Sequence, residues 1–238
     1  MHRGFALNEP RLNDALAREA VAPIQSGMVV GLGTGKTASR AILALADRVR
    51  DERLEISCVA TSHVTDTLAR AHRLNLIDFT LIERVDYSFD GADEVDGQMR
   101  MIKGQHGAFV RERLVARASQ KRVYIIDENK LVEKLGQRAA LPIAVMPWAL
   151  ASIRADLRDM GLNGVVRRTM DGSLFISDGA QLVLDVMVGD RDPEELADSL
   201  DHIPGVIDHG LFLTEADEVL VHTGDTTVRR MTRSEVRA

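Results

Sequence analysis

The sequence predicts an α/β protein, a parallel sheet covered by helices on both faces, with a smaller α+β unit inserted late in the chain. Three observations carry this. Short, wholly apolar runs such as Met28–Leu32 and Val123–Ile126 alternate with stretches of helical periodicity over the first 135 residues, as buried parallel strands and their covering helices do. After Gly136 the pattern turns to strand, helix, hairpin, strand, helix. Short apolar runs then resume near the end, so the second unit reads as an insertion rather than a tail. We place the larger unit at 1–137 and 205–238 and the smaller at 138–204.

In order, Leu12, Ala15, Leu16 and Ala20 recur at helical spacing, with Gly27 beyond as a stop. Met28–Leu32 is a buried strand. Ala38, Ile42, Leu45, Ala46 and Val49 mark a second helix, Ile56–Ala60 a second strand, and Val64, Leu68 and Ala71 a third helix. Phe79–Ile82 and Tyr87–Phe89 read as short strands. Val110, Leu114, Val115 and Ala118 form a helix before the strand Val123–Ile126. In the smaller unit, Leu141–Met146 is a strand, Pro147 suits a first helical position, and Leu150, Ile153 and Leu157 make one stripe closed by Gly161. Val165–Met170 and Ser173–Ser177 flank Asp171-Gly172, a hairpin signal. Leu182–Val188 is a strand, and Pro193 opens a helix reaching Leu200. Pro204-Gly205 punctuates the end of this block. Val206-Ile207, Leu211–Leu213, Val219–Val221 and Thr226–Val228 are strands placed to return to the first sheet.

The chain has 238 residues, 45% of them hydrophobic and 28% charged, enough for a normal core. No apolar run approaches a membrane span of roughly 18 residues, and Met1-His2-Arg3-Gly4 leads into no apolar signal core. A single cysteine, Cys58, in the apolar run Ile56–Ala60, excludes an internal disulfide and suits a cytoplasmic setting. A net charge of −6 argues against a nucleic-acid surface, and no helix-turn-helix segment is apparent. Only five of the 30 basic residues are lysines, and Lys36, Lys103 and Lys130 fall in polar loops after strand-like runs.

Two segments carry chemistry. Gly31-Leu32-Gly33-Thr34-Gly35-Lys36-Thr37 joins the first strand to a helix, where glycines permit close backbone approach and a helix start offers free N–H groups to an anion. Thr34 and Thr37 add hydroxyls and Lys36 adds charge. An ATP-binding P-loop is excluded because Val30 stands where its first glycine belongs. A dinucleotide fingerprint is excluded because Lys36 replaces its third glycine and Thr61-Ser62 replaces its acid. Thr61-Ser62-His63 either caps a helix or meets a substrate. The second segment runs Asp90-Gly91-Ala92-Asp93-Glu94-Val95-Asp96, then Lys103-Gly104-Gln105-His106-Gly107-Ala108, then Arg111-Glu112-Arg113. Acids, a lysine and glycines at this density suit acid–base chemistry on a small polar substrate. Read alone, Glu112 equally fits a solvated charge run. Asp90 and Asp93 do not alternate as a calcium loop requires.

Taken in order, the loop and the acidic cluster resemble the A type of the ribose-5-phosphate isomerase family. The resemblance continues through Arg111-Glu112, Asp127 with Lys130, Leu135-Gly136, Leu141-Pro142, Ile203–Val206 and Gly210–Phe212. It implies a Rossmann-like domain carrying a ferredoxin-like α+β domain, a homodimer or homotetramer, a pentose phosphate as the only small-molecule partner, and no metal or other cofactor. By the same resemblance Glu112 is the base, Lys103 and the Gly104 loop stabilise an enediolate, Asp90 serves ring opening and Asp93 holds hydroxyls. Thr34, Gly35, Lys36 and Thr37 receive the phosphate, with Lys130 reaching in. Asp96, past the centre of the cluster, is expected to face water. The chain departs from the pattern at Lys36, at Gln105-His106 where glycines are usual, at Ser177–Gln181, and at Asn13-Asp14 where a lysine is frequent. If positions 105 and 106 demand positive φ, that loop is strained. A sugar-phosphate sensor of the same fold would need the phosphate loop but not the base. An amino-sugar-phosphate deaminase would use a histidine such as His106.

Overall fold

The computed structural model describes residues 14–224 and 227–233; Leu12, Asn13 and Thr226 lie outside them. The helices are α1 (Ala15–Val21), α2 (Lys36–Glu52), α3 (His63–Ala71), α4 (Phe109–Ala118), α5 (Leu150–Asp159) and α6 (Pro193–Asp201). The larger sheet is built from β1 (Val29–Leu32), β2 (Ser57–Ala60) and β3 (Val85–Asp90). Two two-residue strands follow, β4 (Glu94–Val95) and β5 (Met101–Ile102), then the long β6 (Ser119–Asp127). The smaller layer holds β7 (Leu141–Val145), β8 (Val165–Val166), β9 (Leu182–Val186) and β10 (Val206–His209). The chain continues through β11 (Leu211–Phe212), β12 (Glu218–His222) and β13 (Val228–Thr232).

Six strands form the main sheet in the order β13-β12-β6-β3-β1-β2, parallel except for β13. Helices on both faces explain the apolar strands. Leu16 and Ala20 of α1 and Ile42 and Leu45 of α2 pack on Val30, Leu32, Tyr87, Phe89 and Ile125. The opposite face of β3 and β6 turns Ser88, Asp90 and Tyr124 toward α4, with Asp90 and Tyr124 side by side in register. Cys58 is buried, and burial pushes its thiol up to about 12, so it is an inert packing residue.

The smaller layer is an antiparallel sheet ordered β10-β7-β9-β8, covered by α5 and α6 through Ile153, Leu157, Leu196 and Leu200. Its βαββαβ order is the ferredoxin-like arrangement. That arrangement needs a strand after α6, and β10 supplies it. The expected return of Val206-Ile207 to the main sheet is therefore wrong: Val206 pairs with Val145 of β7, and the sheet extends past residue 204 to His209. Leu211-Phe212 does not return either. It pairs with β5, which pairs with β4, in a three-stranded sheet beside the acidic cluster. Among the described residues after 205, only β12 and β13 rejoin the main sheet.

Two local readings also change. Phe79–Leu81 is a 3₁₀ turn, not a strand, because Asp78 accepts the Thr80 N–H at 2.9 Å and starts a helical turn. The hairpin turns at Asp171-Gly172, with Gly172 at φ +86°. Only Val165-Val166 is regular strand there, and beyond it single bridges such as Arg168 to Leu174 hold the two arms.

Candidate active site

The candidate site lies at the carboxyl ends of the parallel strands. β2 and β3 flank β1 on opposite sides, so connections leave β1 in two directions and open a crevice there. Gly33 and Asp90 meet in that crevice. A Cβ on Gly33 would stand 2.1 Å from Asp90 Oδ1, so no side chain fits. Asp90 Oδ1 instead accepts the Thr34 N–H at 3.0 Å.

The phosphate loop ends at Gly35, whose φ of +110° suits glycine and which begins the 17-residue helix α2 with no side-chain cap. The first N–H groups of α2 are thus left for an anion. Thr37 is half-buried in the first turn, and Lys36 beside it is exposed. Thr34 turns inward: its hydroxyl lies 2.8 Å from Thr61 Oγ1, 2.8 Å from Ser62 Oγ and 3.1 Å from Thr65 Oγ1. Ser62 caps α3 by accepting the Thr65 N–H at 3.1 Å, and the Thr61 hydroxyl donates to Leu32 O at 3.0 Å. Lys130 sits in a 3₁₀ turn after β6 and makes no hydrogen bond or ion pair among the described residues.

Lys103 is buried, 3% exposed, with Nζ 3.0 Å from Asp90 Oδ2 and 3.1 Å from Glu112 Oε2. It also donates to Gly91 O and lies 5.4 and 5.5 Å from the ring centres of Tyr124 and Phe212. The two carboxylates differ in their donors. Asp90 accepts N–H groups from Thr34 and from Gly91, the latter at 2.7 Å. Glu112, buried on α4, has Lys103 at 3.1 Å but receives no backbone N–H among the described residues, and its Oε2 is enclosed without a donor of good geometry. Burial raises both carboxyls, and the Asp90 charge raises Glu112 further, to about 8, against the pull of Lys103. With one cation between two acids, the hydrogen-bonded Asp90 holds its charge more readily, and Glu112 is left as a weak acid able to take and give a proton.

Asp93 Oδ2 accepts the Gln105 N–H at 2.9 Å and so fastens the loop after Lys103. That loop is not strained at the unusual side chains. Its positive φ values fall on Gly104 (+115°) and Gly107 (+76°), whereas Gln105 and His106 lie outside that region. Gly104 backs onto Phe109 and Pro142, Gly107 onto Phe175, and the His106 ring lies against Gly35. Arg167 of the small layer donates to Gly104 O at 2.8 Å and to Gln105 O at 3.1 Å. The Ser177–Gln181 loop also reaches across: Asp178 accepts the His63 N–H at 2.7 Å, and its carbonyl accepts from Arg111 at 2.9 Å.

The other acids of the motif are structural. Glu94 accepts the backbone N–H groups of Gly136, Arg138 and Ala139. Asp96 was expected to face water; it is 2% exposed and bound to Arg100 at 2.7 Å. A tight turn with Met99 at φ +61° brings Arg100 back onto Asp96, a local closure that residue pattern alone does not disclose. Among the described residues no group of three or more His, Cys, Asp or Glu could hold a metal, and no helix is long and apolar enough to cross a membrane.

A buried lysine between two unequal carboxylates, beside an open helix start at a sheet's switch point, defines a site for acid–base chemistry on a small anionic substrate. The chain belongs to the ribose-5-phosphate isomerase A family: residues 57–226 match the family described as Ribose 5-phosphate isomerase A (phosphoriboisomerase A). It is 41% identical over 226 residues to a ribose-5-phosphate isomerase A of Chlamydia trachomatis serovar L2, covering 94% of this chain and 93% of that one. The solved ribose 5-phosphate isomerase A of Methanocaldococcus jannaschii is similar in fold at a TM-score of 0.87 and 34% identity, over 92% of this chain and 96% of that one. A D-ribose-5-phosphate isomerase in complex with phospho-erythronic acid superposes with the same score at 31% identity, over 92% and 96% of the two chains.

Proposed function

We propose that this chain interconverts D-ribose 5-phosphate and D-ribulose 5-phosphate through an enediolate. The observation that carries the reading is the Glu112 carboxylate, buried, with no donor other than Lys103 at 3.1 Å among the described residues. Shifting a carbonyl between C1 and C2 needs one base that removes a proton from one carbon and returns it to the other. Glu112 is that base. Lys103, held 3.1 Å from Glu112, supplies the positive charge for the oxygen that gains charge. Asp90 serves ring opening as acid and base, and Asp93 holds the loop and the sugar hydroxyls. The phosphate rests at the start of α2 on Gly35 and Thr37, with Lys36 and Lys130 adding charge and Thr34 shaping the turn. Phospho-erythronic acid, bound by a relative, carries a carboxylate where an enediolate would carry its negative charge, which supports the same chemistry here. A sensing domain would have no use for a base held in this state. We place the protein in the cytoplasm, in the pentose phosphate pathway, as a homodimer or homotetramer acting without cofactor. Purified protein given ribose 5-phosphate should form ribulose 5-phosphate, with activity surviving exhaustive chelation. Activity lost on chelation and restored only by a divalent ion would sink the mechanism.

A further inference from the structure

Arg113 follows the base on α4 and faces away from the Lys103 cluster. It is largely buried, yet its partners come from a single distant segment. Nε donates to Asp208 at 2.8 Å, Nη1 to Glu215, and Nη2 to the carbonyls of His209 at 2.6 Å and Leu211 at 2.9 Å. The guanidinium lies 4.1 Å from the ring centre of Phe212, the same ring that stands 5.5 Å from Lys103 Nζ. This segment also carries the lysine. Lys103 N–H donates to Gly210 O at 2.9 Å, and Leu211-Phe212 pairs with Met101-Ile102 just before Lys103. A Cβ on Gly210 would stand 2.2 Å from Lys103 O, so the two backbones touch with nothing between them.

We infer that Arg113 is a positioning residue for the reaction: it ties the helix bearing Glu112 to the strand that carries Lys103, and so sets the distance between base and cation. The inference rests on Glu112 being the base. A planar guanidinium satisfies two carboxylates and two carbonyls at once, which lysine cannot do. Loosening it lets the 208–215 segment, and Lys103 with it, shift relative to α4. Displacements of about 1 Å at a reacting centre can cost about a hundredfold in rate. The groups facing Glu112 are Asp90 from β3, Asp93 from the loop before β4, Lys103 after β5 and Tyr124 from β6. Lys103 alone among them favours the ionised carboxylate, so moving it away raises the Glu112 pKa.

The test is Arg113→Lys, with kcat, KM, the pH profile and thermal unfolding measured together. The expected result is a fall in kcat of between about tenfold and about a hundredfold, KM within about twofold, and an acid limb displaced to higher pH. A role confined to the scaffold would lower the unfolding temperature while leaving kcat and the acid limb as in the wild type below that temperature, and this would overturn the inference. Asp208→Asn removes one of the four anchors and should move the acid limb the same way by less. If Arg113→Lys does not fold, an unmoved limb in Asp208→Asn overturns the inference and a raised one supports it. Glu112→Gln run alongside separates the two readings: near wild-type turnover there removes the base and this inference with it, whereas an inactive Glu112→Gln beside a wild-type-like Arg113→Lys removes this inference alone.

Discussion

Adjacent residues of α4 enter two buried clusters of the same composition, one cation and two acids, and the clusters differ in how well they are satisfied. Arg113 gives every acceptor around it a donor: Asp208, Glu215 and two backbone carbonyls. Lys103 stands between Asp90 and Glu112, and only Asp90 has further donors. Burial alone therefore does not make an acid reactive. Burial raises Asp208 too, but Arg113 and the His209 N–H pull the other way and fill its lone pairs, so it holds structure. A carboxylate left without such donors in a dry place rises in pKa and can exchange a proton near neutral pH.

The largest effect should follow from Glu112→Gln, which keeps the shape and removes the proton acceptor. Turnover should fall by on the order of 10²–10⁴, deuterium at C2 of the sugar should cease to exchange with solvent, and KM should change little because the phosphate contacts lie elsewhere. If this variant turned over at near wild-type rate, the two clusters would not differ in function as their donors imply.

The same substitution should leave stability equal or higher, which sharpens the contrast. Burial lifts Glu112 from 4.5 to about 8, so between these pH values the unfolded chain releases a proton that the folded chain keeps. The native state then binds more protons, and stability falls as pH rises through that window. Glu112→Gln removes this loss. Its unfolding temperature should match the wild type below about pH 4.5 and exceed it increasingly toward pH 8. In Glu215→Gln the sign reverses. A satisfied, buried partner of Arg113 is lost, and unfolding free energy should drop by about 1–3 kcal/mol, with turnover reduced by less than about tenfold. Denaturant titration of both variants checks the pair. A Glu215→Gln protein as stable as the wild type would mean that the Arg113 cluster is not the structural one.

Local pattern announced some of this and concealed the rest. The parallel-sheet strands, α2, the Asp171-Gly172 turn and the two chemical segments were legible because each is written in consecutive residues. The fourth strand of the small layer is not legible, because Val206-Ile207 is apolar whichever sheet it joins and only its pairing with Val145 decides. Phe79–Ile82 failed as a strand because a four-residue apolar run has no period, and the Asp78 cap decided it. Glu94, Asp96 and Glu112 look alike in sequence. Their roles are set by backbone N–H groups at 136–139, by Arg100 and by Lys103, respectively. Arg113 resembled a surface charge because its partners are nearly a hundred residues away.

The smallest effect concerns a third cation, Lys36, and tests whether exposure takes the argument in the other direction. Lys36 is exposed at the first position of α2 and makes no ion pair among the described residues. It has neither the cage of Arg113 nor the burial of Lys103. It stands next to the uncapped start of α2, where we place the phosphate, and the lysine frequent near the N-terminus of the family is absent from this chain. We propose that Lys36 meets the dianion at that helix start. A charge in water is heavily screened, so its contribution should be modest, about 0.5–1 kcal/mol, or roughly two- to fivefold in KM. Lys36→Ser should raise KM by that factor with kcat unchanged, because the phosphate takes no part in proton transfer. The difference should shrink as salt is raised, since about 10 Å is the screening length at 0.1 M. Mutating Glu112 should show no such salt dependence in kcat, because its partners are enclosed. Equal KM values for Lys36→Ser and wild type at low salt would move the phosphate's cation elsewhere, with Lys130 the next to test by the same titration.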